Sequence, residues 1–245
     1  MDAPSRPDSS VPSSACERSV RVVAFDVDGT LVEHDSGLVV WQVLNRLFIG
    51  NAELNAERFR SFRDGELTYE QWVRLDIEGW RDGGATRAAM QEAIRAELRL
   101  VPGAQQVTSA LRARGYRVVV VSGTLDIVLD TLFPEHPFDR IYSNQIRFDE
   151  RGGIQDWTAT PFDMAGKAEA LRLLSSESGV PTDAFAFVGD HINDLHALRL
   201  VGCPIAYDPK DESVRKSAKH VLSPGELHRL LDLLPGPPPE PVPQP

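Results

Sequence analysis

The sequence is short of cysteine: its 245 residues hold two, Cys16 and Cys203. Two thiols, one in a polar leader and one in an apolar run, do not support a disulfide framework and point to a reducing compartment, the cytoplasm by default. Residues 1–19 lack an apolar core region and mix Ser, Pro, Asp and Arg. That composition argues against a secretory signal or membrane anchor and reads as a disordered leader. Positive charge is in deficit as well, with 26 Lys and Arg against 36 Asp and Glu and a net charge of −10. Nucleic acid and anionic membrane are therefore not expected partners, because such a surface repels both. No internal repeat is evident. Residues 235–245 are dominated by proline, which sustains neither a helix nor an internal strand, so they read as a disordered, solvated tail.

What is present is a core. Hydrophobic residues make up 42% of the chain, enough for one large domain or a domain carrying an insertion. Short β-branched runs at 20–25, 117–121, 185–188 and 203–206 have the continuous apolar character of buried parallel strands. Amphipathic segments near 104–114, 125–132, 163–176 and 194–200 lie between or after them, the pattern of βαβ units. The fold class is α/β with a mainly parallel sheet flanked by helices. From about 36 to 100 the alternation stops and no strand is expected. Leu38, Trp41, Val43, Leu44, Leu47 and Phe48 form one helical face there, and Trp72, Val73, Ile77 and Trp80 another. This is a helical insertion, in which Gly83-Gly84 separates two helices and Pro102-Gly103 marks the return to the α/β body.

The first strand ends in Asp26-Val27-Asp28-Gly29-Thr30, so both carboxylates emerge where open α/β sheets bind ligands. Residues two apart on an extended chain project to one side, and two such acids repel unless a cation or proton separates them. Mg²⁺ meets that requirement. Gly29 adds a turn in which backbone N–H groups can approach a phosphate, although an Asp-Gly turn after a strand accounts equally for the bare motif.

Asp26-Val27-Asp28-Gly29-Thr30-Leu31-Val32 resembles the first signature of the haloacid dehalogenase superfamily, in its phosphoserine-phosphatase-like branch. Val118-Val119-Val120-Val121-Ser122-Gly123-Thr124 resembles the second, although Ser122 and Thr124 could instead cap the following helix. Lys167 after Gly166 matches the third, with Arg172 a weaker substitute, and Gly189-Asp190-His191-Ile192-Asn193-Asp194 matches the fourth. Four signatures in order are more specific than any one. The resemblance implies a Rossmann-like core over 20–35 and 101–234 with a helical cap over 36–100. It also implies Mg²⁺-dependent hydrolysis of a small phosphorylated metabolite through an aspartyl-phosphate. In that scheme Asp26 is the nucleophile and Asp28 the acid and base. Asp26, Asp28 and Asp190 hold the metal, Asp28 through its backbone carbonyl. Gly29, Ser122, Gly123, Lys167 and Asn193 hold the phosphate, and Asp194 supports Lys167 or the metal shell. His191 stands where many relatives have glycine, as a turn residue or a substrate contact.

The intact acid set disfavours a dehalogenase or a non-catalytic phosphate-binding regulator, while a phosphotransferase or mutase would carry the same signatures. Substrate choice falls to the cap. By resemblance, Asp35 stands at a glutamate position and Asp76 at an arginine position used for phosphoserine, a charge reversal that Arg63, Arg74 or Arg81 could offset. Trp41, Trp72 and Trp80 could line a pocket for a larger alcohol or form cap core. Oligomeric state is left open, because apolar cap faces can bury against the body or against another chain.

Overall fold

A computed structural model describes residues 19–238, so residues 1–18 of the expected leader over 1–19 and the tail residues 239–245 lie outside the described residues. The strand β1 (Val22–Phe25) is buried along its length and sits at the centre of a seven-stranded sheet. Parallel ladders join it to β4 (Arg117–Leu125) on one side and β7 (Phe185–Gly189) on the other. Beyond β4 lies β5 (Arg140–Phe148), and beyond β7 lie β8 (Cys203–Tyr207) and β9 (His220–Leu222), all parallel. An antiparallel β6 (Ile154–Thr158) completes the order β6-β5-β4-β1-β7-β8-β9.

Side chains alternate between the two faces of the sheet, which divides the core in two. Val23, Phe25, Val118 and Val120 pack on one face with Val107 and Leu111 of α5 (Ala104–Ala113). Val22, Ala24, Val119 and Phe187 pack on the other with Leu171 and Leu174 of α7 (Gly166–Ser178). Each large apolar side chain fully buried this way contributes roughly 1.5–3 kcal/mol. β5, β6 and β9 were not expected from the sequence. β5 interleaves polar residues with buried ones, β6 is largely exposed at an edge, and β9 has three residues, so none shows a continuous apolar run.

The insertion leaves and re-enters the body through β2 (Val32–His34) and β3 (Leu98–Leu100), which pair antiparallel as a two-stranded neck. The expectation that 36–100 is free of strand is corrected at Leu98–Leu100, where three residues are too few for a detectable period. Between the neck strands run α1 (Val40–Leu44), a π-helical turn over Asn45–Ile49, α2 (Leu54–Arg63), α3 (Tyr69–Asp82) and α4 (Arg87–Glu97). The π turn adds a residue to the helical cycle and shifts the face that follows. Leu47, expected on the apolar face, is therefore 47% exposed, while Asn45 is buried and accepts the Trp80 indole N–H at 2.6 Å. At the other end of the body, the backbone N–H of Gly236 donates to the Tyr116 hydroxyl at 3.0 Å, so the start of the Pro-rich stretch lies against the core. Among the described residues, no helix is long and apolar enough to cross a membrane.

Candidate active site

Strand order reverses at β1, because the chain runs outward through β4 and β5 before returning to the opposite side at β7. The carboxyl ends of β1, β4 and β7 therefore meet at one crevice. Asp26 follows β1, its backbone N–H donating to Val188 at 2.9 Å, and Asp190 follows β7; both are buried. Lys167 is fully buried in the first turn of α7. Its Nζ donates to Asp26 Oδ1 at 2.5 Å and to Asp194 Oδ1 at 2.7 Å. The other Asp194 oxygen accepts the backbone N–H groups of Asp190 and His191 at 2.9 and 3.1 Å. Asp194 thus spends both oxygens holding its neighbours.

Oxygens of Asp26, Asp190 and Asp194 lie within 4.8 Å of one another. Three buried carboxylates around one ammonium leave excess negative charge. Burial pushes Asp26 up to about 6 even though Lys167 opposes it. Asp190 is pushed well above the carboxylate range by burial and then by the charges of Asp194 and Asp26. Lys167 moves upward although burial alone would lower it, because the charges of Asp194 and Asp26 outweigh its desolvation. A divalent cation beside Asp26 and Asp190 relieves this repulsion, and an all-oxygen donor set suits Mg²⁺. The residues fit the metal that the sequence calls for. The Asp28 carboxylate points elsewhere: it accepts the N–H of Val40, the first residue of α1, at 3.3 Å. Burial and then the Asp26 charge push it up to about 7.

Glycine allows two close approaches at the crevice. Gly29 has φ +84°, and a Cβ there would sit 2.2 Å from Asp190 Oδ2. A Cβ on Gly123 would sit 2.6 Å from Asp163 Oδ2. Ser122, Gly123 and Thr124 do not cap a helix. They occupy an irregularity within β4 between Val121 and Leu125, with the Thr124 N–H donating to Ser122 Oγ at 3.2 Å. The helix α6 (Asp126–Leu132) begins after them with no side-chain cap. Asn193 Nδ2 donates to Asp163 Oδ1 at 3.0 Å, while its Oδ1 is buried without a partner. His191 has an extended φ of −123° rather than the left-handed turn geometry, and it lines the crevice. The crevice opens into a cavity of about 750 Å³ between body and insertion.

Cap residues fall differently from expectation. Asp35 is outside the cavity, ion-paired with Arg99, and its side chain is 81% exposed. Arg63 is also outside, 3.4 Å from Asp64. Asp76 is buried inside the insertion, ion-paired with Arg58, and reaches no ligand space. Trp80 is buried too, but Trp41 and Trp72 do line the cavity. Sequence reading missed Asp163, which lines the cavity beside Gly123 and Asn193 and adds to the field on Lys167. Its place four residues before Lys167 was the available signal. It also missed Asn144, buried on β5, which donates to the Gly123 carbonyl and the Tyr69 hydroxyl, both at 2.8 Å. A lone Asn in an unrecognised strand gives no such signal.

A model of the family described as haloacid dehalogenase-like hydrolase matches residues 23–199. The phosphoserine phosphatase of Streptomyces coelicolor is 31% identical over 222 residues, covering 89% of this chain and 51% of that protein. The phosphoserine phosphatase of Halobacterium salinarum is 30% identical over 216 residues, covering 86% of this chain and 97% of that one. The chain spans about half the length of several curated relatives it matches, the Streptomyces protein and SerB2 of Mycobacterium tuberculosis among them. A solved structure described as a phospho-aspartyl intermediate analogue of phosphoserine phosphatase superposes with a TM-score of 0.68 at 23% identity, covering 87% of this chain and 98% of that one. That likeness is one of fold.

Proposed function

Because the chain belongs to the haloacid dehalogenase-like hydrolase family, in its phosphoserine-phosphatase-like branch, we propose that it is a Mg²⁺-dependent phosphomonoester hydrolase acting through an aspartyl-phosphate. The observation that carries this reading is Lys167 Nζ, buried between Asp26 and Asp194 beside Asp190 at the carboxyl edge of the sheet. In this reading residues 36–100 are a cap domain over a core at 20–35 and 101–234. The cytoplasm is its compartment, in keeping with the two cysteines.

Lys167 holds one Asp26 oxygen, which leaves the other to attack phosphorus as the bond to the ester oxygen breaks. Asp28, raised to about 7, is protonated often enough near neutral pH to give its proton to the departing alkoxide. It then takes a proton from the water that attacks phosphorus, the bond to Asp26 breaks, and the carboxylate is restored. Ser122, the Gly29 and Gly123 backbone and Lys167 hold the phosphoryl oxygens, Asn193 orients the group, and Asp194 fixes Lys167. Asp26, Asp190 and the Asp28 backbone carbonyl would hold Mg²⁺, which would supply positive charge to offset repulsion between phosphate and the attacking carboxylate.

The test is phosphate release. The wild type with Mg²⁺ should liberate inorganic phosphate from small phosphomonoesters and yield a trapped aspartyl-phosphate at Asp26 by mass spectrometry. Asp26→Asn should lose at least about 10⁴-fold in kcat with its circular dichroism unchanged. Full turnover by that variant overturns the reading.

A further inference from the structure

On the side of the insertion the cavity is lined by Trp41, Phe59, Tyr69, Trp72 and Leu38. Three of these rings form a continuous wall, with Phe59 and Tyr69 each about 6 Å from Trp72 between centroids. Among the described lining residues there is no arginine, and the one lysine, Lys210, belongs to the body and is ion-paired with Asp208. The cap does not lack arginines; it turns them elsewhere. Arg58 is bound to Asp76, Arg46 to Glu97 at 2.8 Å, and Arg63 lies beside Asp64. The acids near this wall are spent as well: Asp76 faces inward to Arg58, Asp35 faces outward to Arg99, and at the neck Glu33 accepts from Arg99 at 3.1 Å while His34 is bound to Glu97 at 3.1 Å. From the helices of the insertion, the polar groups that remain are the uncharged Gln42 and Asn55 and the Tyr69 hydroxyl, which already accepts from Asn144.

We infer that the leaving group is the alcohol of an uncharged, apolar or ring-bearing body, not of a free amino acid or a cationic head group. The inference rests on the hydrolase reading and deepens it. An α-carboxylate brought into this side of the cavity would lose its water without gaining a cation, which disfavours its binding in apolar surroundings. An ammonium would find ring faces, but the nearby carboxylate, Glu33, is already paired with Arg99. A flat apolar body, by contrast, gains contact with Phe59 and Trp72 without leaving any charge unpaired. About 750 Å³ is also more space than a phosphate on a three-carbon chain requires.

Four probes separate these outcomes under Mg²⁺: benzyl phosphate, phosphoserine, phosphocholine and acetyl phosphate. Benzyl alcohol is a poorer leaving group than the serine hydroxyl, so a preference for benzyl phosphate reports binding of the body. The expected result is a kcat/KM for benzyl phosphate at least about tenfold above those for phosphoserine and phosphocholine. Phe59 is half-buried on α2, outside the main cores, so replacing it leaves the fold in place. Phe59→Ala should cut the ratio of benzyl to acetyl phosphate kcat/KM about tenfold, mainly through KM, and Phe59→Leu should restore part of it. Preference for phosphoserine or phosphocholine, or a ratio that Phe59→Ala leaves unmoved, overturns the inference while the hydrolase reading stands. No phosphate release from any of the four overturns both.

Discussion

The indole N–H of Trp41, in the insertion, donates to the backbone carbonyl of Gly123, in the body, at 2.9 Å. The same carbonyl accepts the Asn144 side chain, which also reaches Tyr69 of α3. The loop proposed to hold phosphate is therefore fixed from both sides of the cavity, and the cap is tied to it by side chains that also form the ligand wall.

Removing the cap half of this tie should loosen the loop without unfolding the protein. Trp41→Phe keeps a six-membered ring and deletes the donor, while Asn144 still satisfies the carbonyl. One neutral hydrogen bond is worth about 0.5–1.5 kcal/mol. The expected cost in kcat/KM is accordingly up to about tenfold, with a modest fall in the urea midpoint because Trp41 also packs on Trp80 in the core. Asn144→Ala should cost more, because it strips Gly123, Tyr69 and the Thr160 N–H of a partner at once. Equal effects of the two variants on both readouts would argue against this arrangement.

Lys167 should matter for stability as well as turnover. It is fully buried and is the shared partner of Asp26 and Asp194. Lys167→Met matches its length but leaves two buried carboxylates without their cation, a change that typically costs about 3–5 kcal/mol. Urea denaturation at neutral pH should show a loss of that size. A stability change under about 1 kcal/mol would contradict a compensating role for this lysine.

The body was legible in the sequence where burial is complete. β1, β4, β7 and β8 are buried on both faces and appear as apolar runs, and the carboxylates that follow β1 and β7 are read directly from their ends. β5 was not legible because its pattern, with Ser143 and Asn144 buried among apolar residues, matches neither an alternating nor a continuous strand. In the cap, position relative to a signature misled. Asp35 and Asp76 were named by alignment, yet their surroundings are set by Arg99 and Arg58, which are distant in sequence. The π turn over Asn45–Ile49 likewise shifts side chains in a way that no regular period anticipates.

Asp126 offers a test by pH away from the acid cluster. Burial pushes its carboxyl up to about 6, although the N–H groups of Ile127 and Ile146 bond to it. The native state thus holds this proton more tightly than the unfolded chain, whose aspartate titrates near 4. Between about pH 4 and 6 the folded form binds more protons, so this residue makes stability fall as pH rises through that window. Asp126→Asn should flatten the fall while keeping one acceptor for the two N–H groups. The quantity to measure is the slope of unfolding free energy against pH, with a difference from wild type of at most about 3 kcal/mol across the window. An unchanged slope removes Asp126 as its source.

Asp28 should be distinguished from Asp26 by the leaving group. Its carboxylate faces the N-terminus of α1 rather than the Lys167 cluster, and its raised proton affinity suits transfer near neutral pH. Asp28→Asn keeps an acceptor for the Val40 N–H, so the contact between body and insertion survives. What it loses is the proton for the departing oxygen and the base for the incoming water. An alkyl phosphate, whose leaving oxygen must be protonated, should slow by about 10²–10⁴-fold. Loss of phosphate from p-nitrophenyl phosphate needs no such proton, so its first step should persist while the second is slowed. A burst of nitrophenol followed by a slow steady state is therefore expected in the variant. If both substrates slow equally and no burst is seen, Asp28 does not handle the proton and its place beside α1 is structural.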